Sequence, residues 1–305
     1  MEARIIPQRI EHRIEPEQCG SERHAHAKHT TVSGAAVRPL PARARGRGAP
    51  KALAGVTFAA KQLLSAERTP ASSGAPDPKL IGDLVAANRI LADQGILDAF
   101  GHVSARDNTD PNRYLLARHL AAALVTAADI MEFDLDSNPI DAQGRSLYLE
   151  RFIHGEIYKA RPDVNAVVHS HSPSVIPFSL SKVPLQPAFH MAAFVVEGVP
   201  VFDPARDAGI HRVLVSSTEA GRALAQTLGK KPAALIRGHG TAVVGTSLPM
   251  VVGRSIYLEQ SARIQAQAMA LGGEVTYIDQ EAAHKAAGNE YETGWELWTR
   301  KVTGK

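Results

Sequence analysis

The strongest constraint on the fold is an abrupt change of pattern at Pro78. The preceding stretch mixes Arg, Pro, Gly, Ala, Ser and His without a sustained hydrophobic period, whereas helix-period and strand-period segments alternate after it. Pro78 sets a helix start, and KLIGDLVAANRILADQGIL carries Leu80, Leu84, Ile90 and Leu91 at helical spacing, with Gly95 as a stop. GHVSAR, YLLAR and DIMEFD read as short strands, separated by turns such as DNTDPN at 107–112. A helix over about 149–161, closed by Pro162, leads into the strand VNAVVHS. STEAGRALAQTLG is a helix capped by Ser217 or Thr218, AALIRGHG and TAVVG form a strand pair around a Gly-rich turn, and SLPMVVGRSIYLEQSARIQAQAMALGG is one long helix. Such alternation with hairpins predicts an α/β fold with a mixed sheet covered by helices, and no internal repeat is present.

The expected organisation is a disordered basic extension and linker over 1–77, an ordered domain over 78–280 and a helical tail over 281–305. Charge follows that division: up to residue 78 there are 12 Lys+Arg against 7 Asp+Glu, so a chain of formal charge +3 is mildly acidic in its remainder. RARGRGAPK at 43–51 has no interleaved aromatics, so it reads as a solvated arm and no nucleic-acid partner is expected. The segment ALAGVTFAAKQLL at 52–64 is a short helix or a weak export signal; Lys61 and its distance from Met1 disfavour export, leaving periplasmic export a minor possibility. No apolar run reaches the roughly 20 residues that span a bilayer, and the single cysteine, Cys19, excludes an intramolecular disulfide framework. A cytoplasmic protein without a membrane partner is the expectation.

Chemistry enters at NAVVHSH, residues 165–171. Side chains alternate in a strand, so His169 and His171 share a face while Ser170 points away. Two imidazoles on one face can share a divalent ion, which needs a further protein ligand. His239, in the turn RGHG, and the carboxylate of Glu150 are candidates for completing the set. Alone, a His-x-His at a strand end is more often an ordinary core pair. His154 reads as a structural histidine of the helix, and HAHAKHT at 24–30 lacks the supporting groups that orient a built site.

The arrangement as a whole carries more. ERFIHGEIYKARPDVNAVVHSHSP, followed by RGHGTAVVG and a long helix containing SIYLEQSARIQAQ, resembles the class II aldolase/adducin family over about residues 78–275. The resemblance implies an αβα sandwich, a homotetramer with sites at subunit interfaces, and a divalent ion held by Glu150, His169, His171 and His239. His and carboxylate donors suit Zn or Mn, with Fe or Co also possible.

The same resemblance bears on the substrate. Where sugar-phosphate aldolases hold phosphate with a GNxS loop, a Thr-Gly turn and a Ser-Ser pair, this chain has GHVS, ARHL and Tyr148-Leu149. A phenol and an aliphatic side chain fit a sugar phosphate poorly. Arg118 can grip a carboxylate, His102 and Ser104 can donate hydrogen bonds and Tyr148 can stack on a ring. This variant is similar to the family's decarboxylases of hydroxylated pyridine-dicarboxylates or dihydroxyphthalates, which implies a small aromatic carboxylate substrate. The aldolase tyrosine falls at Met191, a further departure from aldol chemistry. In both reactions a metal chelated by an adjacent oxygen stabilises the electron pair left on carbon, as an enolate or phenolate. Glu150 is the first candidate for proton transfer and His102 the second. Two alternatives stand beside this reading: an aldolase acting on an unphosphorylated hydroxyacid or sugar acid, and an adducin-like scaffold without catalysis.

Overall fold

The computed structural model describes residues 74–286 and 291–304. The expectations for the chain before Gly74, including the basic arm, Cys19, HAHAKHT and the segment at 52–64, lie outside the described residues.

Helix α1 (Pro78–Asp93) begins where Asp77 accepts from the Lys79 N–H at 2.8 Å and Pro78 occupies the first turn. Strands β1 (His102–Arg106), β2 (Arg113–Ala117) and β3 (Ile130–Asp134) follow as an antiparallel meander. Helix α2 (Phe152–Ala160) leads into β4 (Ala166–Ser170), followed by α3 (Ile176–Leu180), β5 (Val201–Phe202) and α4 (Pro204–Ala208). Then come α5 (Thr218–Leu228), the hairpin of β6 (Ala233–Ile236) and β7 (Gly240–Gly245), α6 (Leu248–Ala270), α7 (Gln280–Ala286) and α8 (Glu292–Thr303). Ser217 caps α5 by accepting from the Ala220 N–H, and Ser247 caps α6 in the same way from Met250.

The seven strands form one mixed sheet in the order β3-β2-β1-β4-β7-β6-β5. Every neighbouring pair is antiparallel except β5 with β6, so the expected mixed α/β sheet is present. The two-residue edge strand β5 carries no periodic signal and was not anticipated. Both faces are covered. Ala166 and Val168 of β4 enter a core with α1, α6 and Trp298 of α8, while Val167 enters a second core with Ile153 and Ile157 of α2 and Leu224 of α5. Truncating a fully buried Ile157 to Ala removes apolar surface and leaves a cavity, a loss of about 2–5 kcal/mol. Among the described residues no helix is long and apolar enough to cross a membrane.

This alternation places the site. His169 continues the face of Val167, and the register pairs it with His102 of β1, so His102, Ser104 and His169 look toward α2. One boundary differs from expectation. Glu150 is not in the first turn of α2 but in a separate 3-10 turn, Leu149–Arg151, with φ −94° and ψ 18°. The turn aims the Glu150 carboxylate across the end of the sheet instead of along the helix surface.

Candidate metal centre

Glu150, His169, His171 and His239 each bring one ligand atom, and these four atoms lie within 4.8 Å of one another. Three come from the ends of neighbouring strands: His169 is the next-to-last residue of β4, His171 follows that strand, and His239 sits in the β6–β7 turn. Close approach there depends on glycine. A Cβ on Gly240 would lie 2.1 Å from the Ser170 carbonyl oxygen, and Gly238 has φ +61°, which glycine adopts without strain.

What each imidazole presents is fixed from outside. The Nδ1 of His169 lies 2.9 Å from the Thr241 carbonyl, which can only accept, so Nδ1 carries the proton and Nε2 presents a lone pair. His171 Nδ1 likewise donates to Asp98 Oδ2 at 2.9 Å. Burial opposes ionisation of Asp98, but the His171 hydrogen bond and the N–H groups of Phe100 and Gly101 outweigh it and hold its carboxyl below the ordinary value. The inward nitrogens then meet: His171 Nε2 is 3.1 Å from His239 Nε2, and Glu150 Oε2 is 3.5 Å from both His169 Nε2 and His239 Nε2. His169 Nε2 is sealed from solvent with no hydrogen-bond partner among the described residues. A buried acceptor without a partner costs about 1–3 kcal/mol, so a wholly buried histidine aimed in this way fits a cation better than a core role.

Glu150 is prepared as an anion. Its Oε1 accepts from the Val215 N–H at 2.8 Å. Burial pushes the carboxyl up, while His169 and His239, whenever they carry a proton toward it, more than offset that and bring it below the usual carboxylate range; a cation in their place acts in the same direction. His169 is itself kept below its ordinary value, by burial first and against the pull of Glu150. Three nitrogen donors and one ionised oxygen form a set suited to a divalent transition metal.

The residues read as substrate contacts fall into different places. His102 packs its ring 5.1 Å from His169 and 4.4 Å from Tyr148, and its Nδ1 lies 2.7 Å from His154 Nε2. Burial, then His154 and His169, hold His102 well below its ordinary value, while burial and then His169 hold His154 down at about 3. Both rings are therefore neutral near neutral pH. Ser104, expected as a substrate contact, is fully buried, with its hydroxyl taken up by His154 Nδ1 at 2.6 Å and Tyr158 Oη at 2.8 Å. Tyr148 donates its hydroxyl to the Leu120 carbonyl, and its ring packs against those of His102 and His119. Arg118 Nε donates to Asp129 at 2.6 Å, and its two terminal nitrogens make no hydrogen bond among the described residues. Sequence reading missed Asp98, the Val215 N–H and the connection of His154. For His154 a signal existed: it stands four residues after Glu150, facing strand positions 102 and 104.

Residues 82–266 match the Class II Aldolase and Adducin N-terminal domain family. Decarboxylase tropJ of Talaromyces stipitatus is 32% identical over 239 residues, covering 70% of this chain and 90% of the relative. The 3,4-dihydroxyphthalate decarboxylase of Arthrobacter keyseri is 32% identical over 200 residues, covering 61% and 77%. Among solved structures, an aldolase II superfamily protein from Pseudomonas syringae matches with TM-score 0.63 at 25% identity, covering 73% of this chain and 92% of that one. L-fuculose 1-phosphate aldolase from Glaciozyma antarctica matches in fold with TM-score 0.62 at 24% identity, covering 76% and 94%. The matched span runs from within α1 to within α6 and takes in all four converging ligands. This chain belongs to the class II aldolase and adducin family.

Proposed function

We propose that the chain is a divalent-metal-dependent lyase that removes CO2 from a hydroxylated aromatic or pyridine dicarboxylate. Its family and its decarboxylase relatives support a lyase. The observation that carries metal dependence is the partnerless, buried Nε2 of His169 inside a cluster of three imidazoles and a carboxylate. Glu150, His169, His171 and His239 hold the ion; Zn and Mn suit the donors, as do Fe and Co. When bound, it supplies Lewis acidity to the oxygen beside the carbon that loses its carboxylate.

The chain's own groups do the rest. Glu150 is anionic and its Oε2 faces the cluster, so it takes the proton of the ring hydroxyl. As the carbon–carboxylate bond breaks, its electron pair stays on the ring carbon, CO2 leaves, and Glu150 Oε2 returns the proton to that carbon. In this reading the Tyr148 and His102 rings, 4.4 Å apart beside the cluster, offer aromatic surface to a planar acid. The free terminal nitrogens of Arg118 pair with a second carboxylate in this reading. A homotetramer is part of the same proposal. Exposed apolar side chains beside site residues support it: Phe100 near Asp98, Leu149 before Glu150, Leu180 beneath the Gly238 turn and Val213 near Val215.

A screen of hydroxylated aromatic dicarboxylates, including 3,4-dihydroxyphthalate, for CO2 release with and without Mn or Zn tests the proposal. Aldehyde release from unphosphorylated hydroxyacids or sugar acids would move the assignment to aldolase. Protein without stoichiometric metal after metal-replete purification would favour the scaffold.

A further inference from the structure

Beside the metal ligands lies a second polar chain that the mechanism above leaves unused. Tyr158 Oη contacts Ser104 Oγ at 2.8 Å, Ser104 Oγ contacts His154 Nδ1 at 2.6 Å, and His154 Nε2 contacts His102 Nδ1 at 2.7 Å. Tyr158, Ser104 and His154 are at most 1% exposed, so no solvent completes their hydrogen bonds. Tyr158 Oη has Ser104 as its hydrogen-bond partner and no other among the described residues.

Three proton arrangements can be written for the chain. If His154 Nδ1 donates to Ser104 and Ser104 to Tyr158, the buried phenol proton has no acceptor. If Tyr158 and His154 both donate to Ser104, the serine proton has none. Only when Tyr158 donates to Ser104, and Ser104 to His154 Nδ1, does every proton find an acceptor. The remaining proton of neutral His154 then sits on Nε2 and donates to His102 Nδ1. The proton of His102 must therefore be on Nε2, for which no hydrogen-bond partner is found among the described residues.

We infer that the buried series Tyr158–Ser104–His154 fixes His102 as its neutral Nε2–H tautomer, a hydrogen-bond donor to an anionic substrate oxygen that neither ligates the metal nor carries the transferred proton. His154, Ser104 and Tyr158 are positioning residues. A neutral imidazole whose Nδ1 accepts from a neutral neighbour has no spare proton to give, which leaves proton transfer to Glu150. The tautomer follows from the hydrogen bonds alone; its role toward substrate rests on the decarboxylase reading.

Long-range proton–nitrogen correlation spectra of the zinc-loaded protein test the tautomer without substrate, with His102 identified by the signal lost in His102→Gln. The expected result is a protonated Nε2 and a bare Nδ1 on His102, favoured on the order of tenfold or more. A protonated Nδ1 on His102 overturns the inference. Tyr158→Phe is expected to erode the preference while leaving zinc content stoichiometric; an unchanged tautomer would remove Tyr158 from control. For the substrate role, kcat and KM toward 3,4-dihydroxyphthalate are compared in His154→Leu and His154→Gln. The leucine variant is expected to lose on the order of 10–100-fold in kcat/KM, with partial recovery in glutamine, whose amide can donate to His102. Equal loss in both variants at full zinc occupancy contradicts positioning through the hydrogen bond. If wild type leaves this acid unchanged, the decarboxylase reading fails for it while the spectra still decide the tautomer.

Discussion

His169 and His102 face each other across β4 and β1, in register, on the same side of the sheet and with rings 5.1 Å apart. Sequence and burial scarcely separate them, yet they end in opposite chemical states. His169 Nδ1 meets a carbonyl, an obligate acceptor, so its inward Nε2 is a lone pair available to a cation. His102 Nδ1 meets another imidazole, which can donate, so its Nε2 is left to carry a proton. The lesson is that the atom behind a histidine, and not the strand position, decides whether the ring binds a cation or an anion.

The largest expected effects break the His169 side. His169→Gln and His239→Gln should abolish stoichiometric metal by elemental analysis, and turnover should fall by orders of magnitude with it. Glu150→Gln should lose a similar amount of turnover while retaining metal, since three imidazoles remain; a fully active Gln variant would remove Glu150 from proton transfer. Asp98→Asn keeps a group beside His171 but weakens its hold on Nδ1–H, and a metal titration should show affinity falling on the order of 10–100-fold.

A smaller effect probes the His102 side through stability. His154 has an ordinary value of 6.5 and is held at about 3 in the fold, so the unfolded chain binds a proton in that window that the native chain refuses. Stability is therefore full above about pH 6.5 and falls as pH drops toward 3. Between pH 7 and pH 5 this one group accounts for roughly 2 kcal/mol, read as the slope of urea unfolding free energy against pH. His154→Asn should flatten that slope; an unchanged slope would show that His154 is not buried neutral. The smallest stability effect belongs to Arg118→Gln. Its ion pair with Asp129 is about a third exposed at the arginine, so stability should change by less than about 1 kcal/mol. KM for a dicarboxylate should nevertheless rise, and an unchanged KM would confine Arg118 to its loop.

Much of this was legible in the chain. The period change at Pro78 and the apolar run ending at His169 give the sheet, its mixed character and three strand-end ligands. Glu150 was legible as a member of the cluster but not as part of a 3-10 turn, because a kink between two helical turns leaves no hydrophobic period to read. Asp98 and the Val215 N–H were not legible, since both act through loops whose reach is set by tertiary packing. Ser104 shows the limit most clearly. The GHVS stretch offered it as a hydrogen-bond donor to substrate, and only the packing of α2 shows that His154 and Tyr158 cover its hydroxyl.

The central claim is that this cluster holds the ion on which decarboxylation depends, and CO2 release before and after chelation tests it most directly. The metal-replete protein should release CO2 from a hydroxylated aromatic dicarboxylate, lose that activity on metal removal and regain it with Mn or Zn. Undiminished CO2 release from protein shown to be metal-free would contradict it.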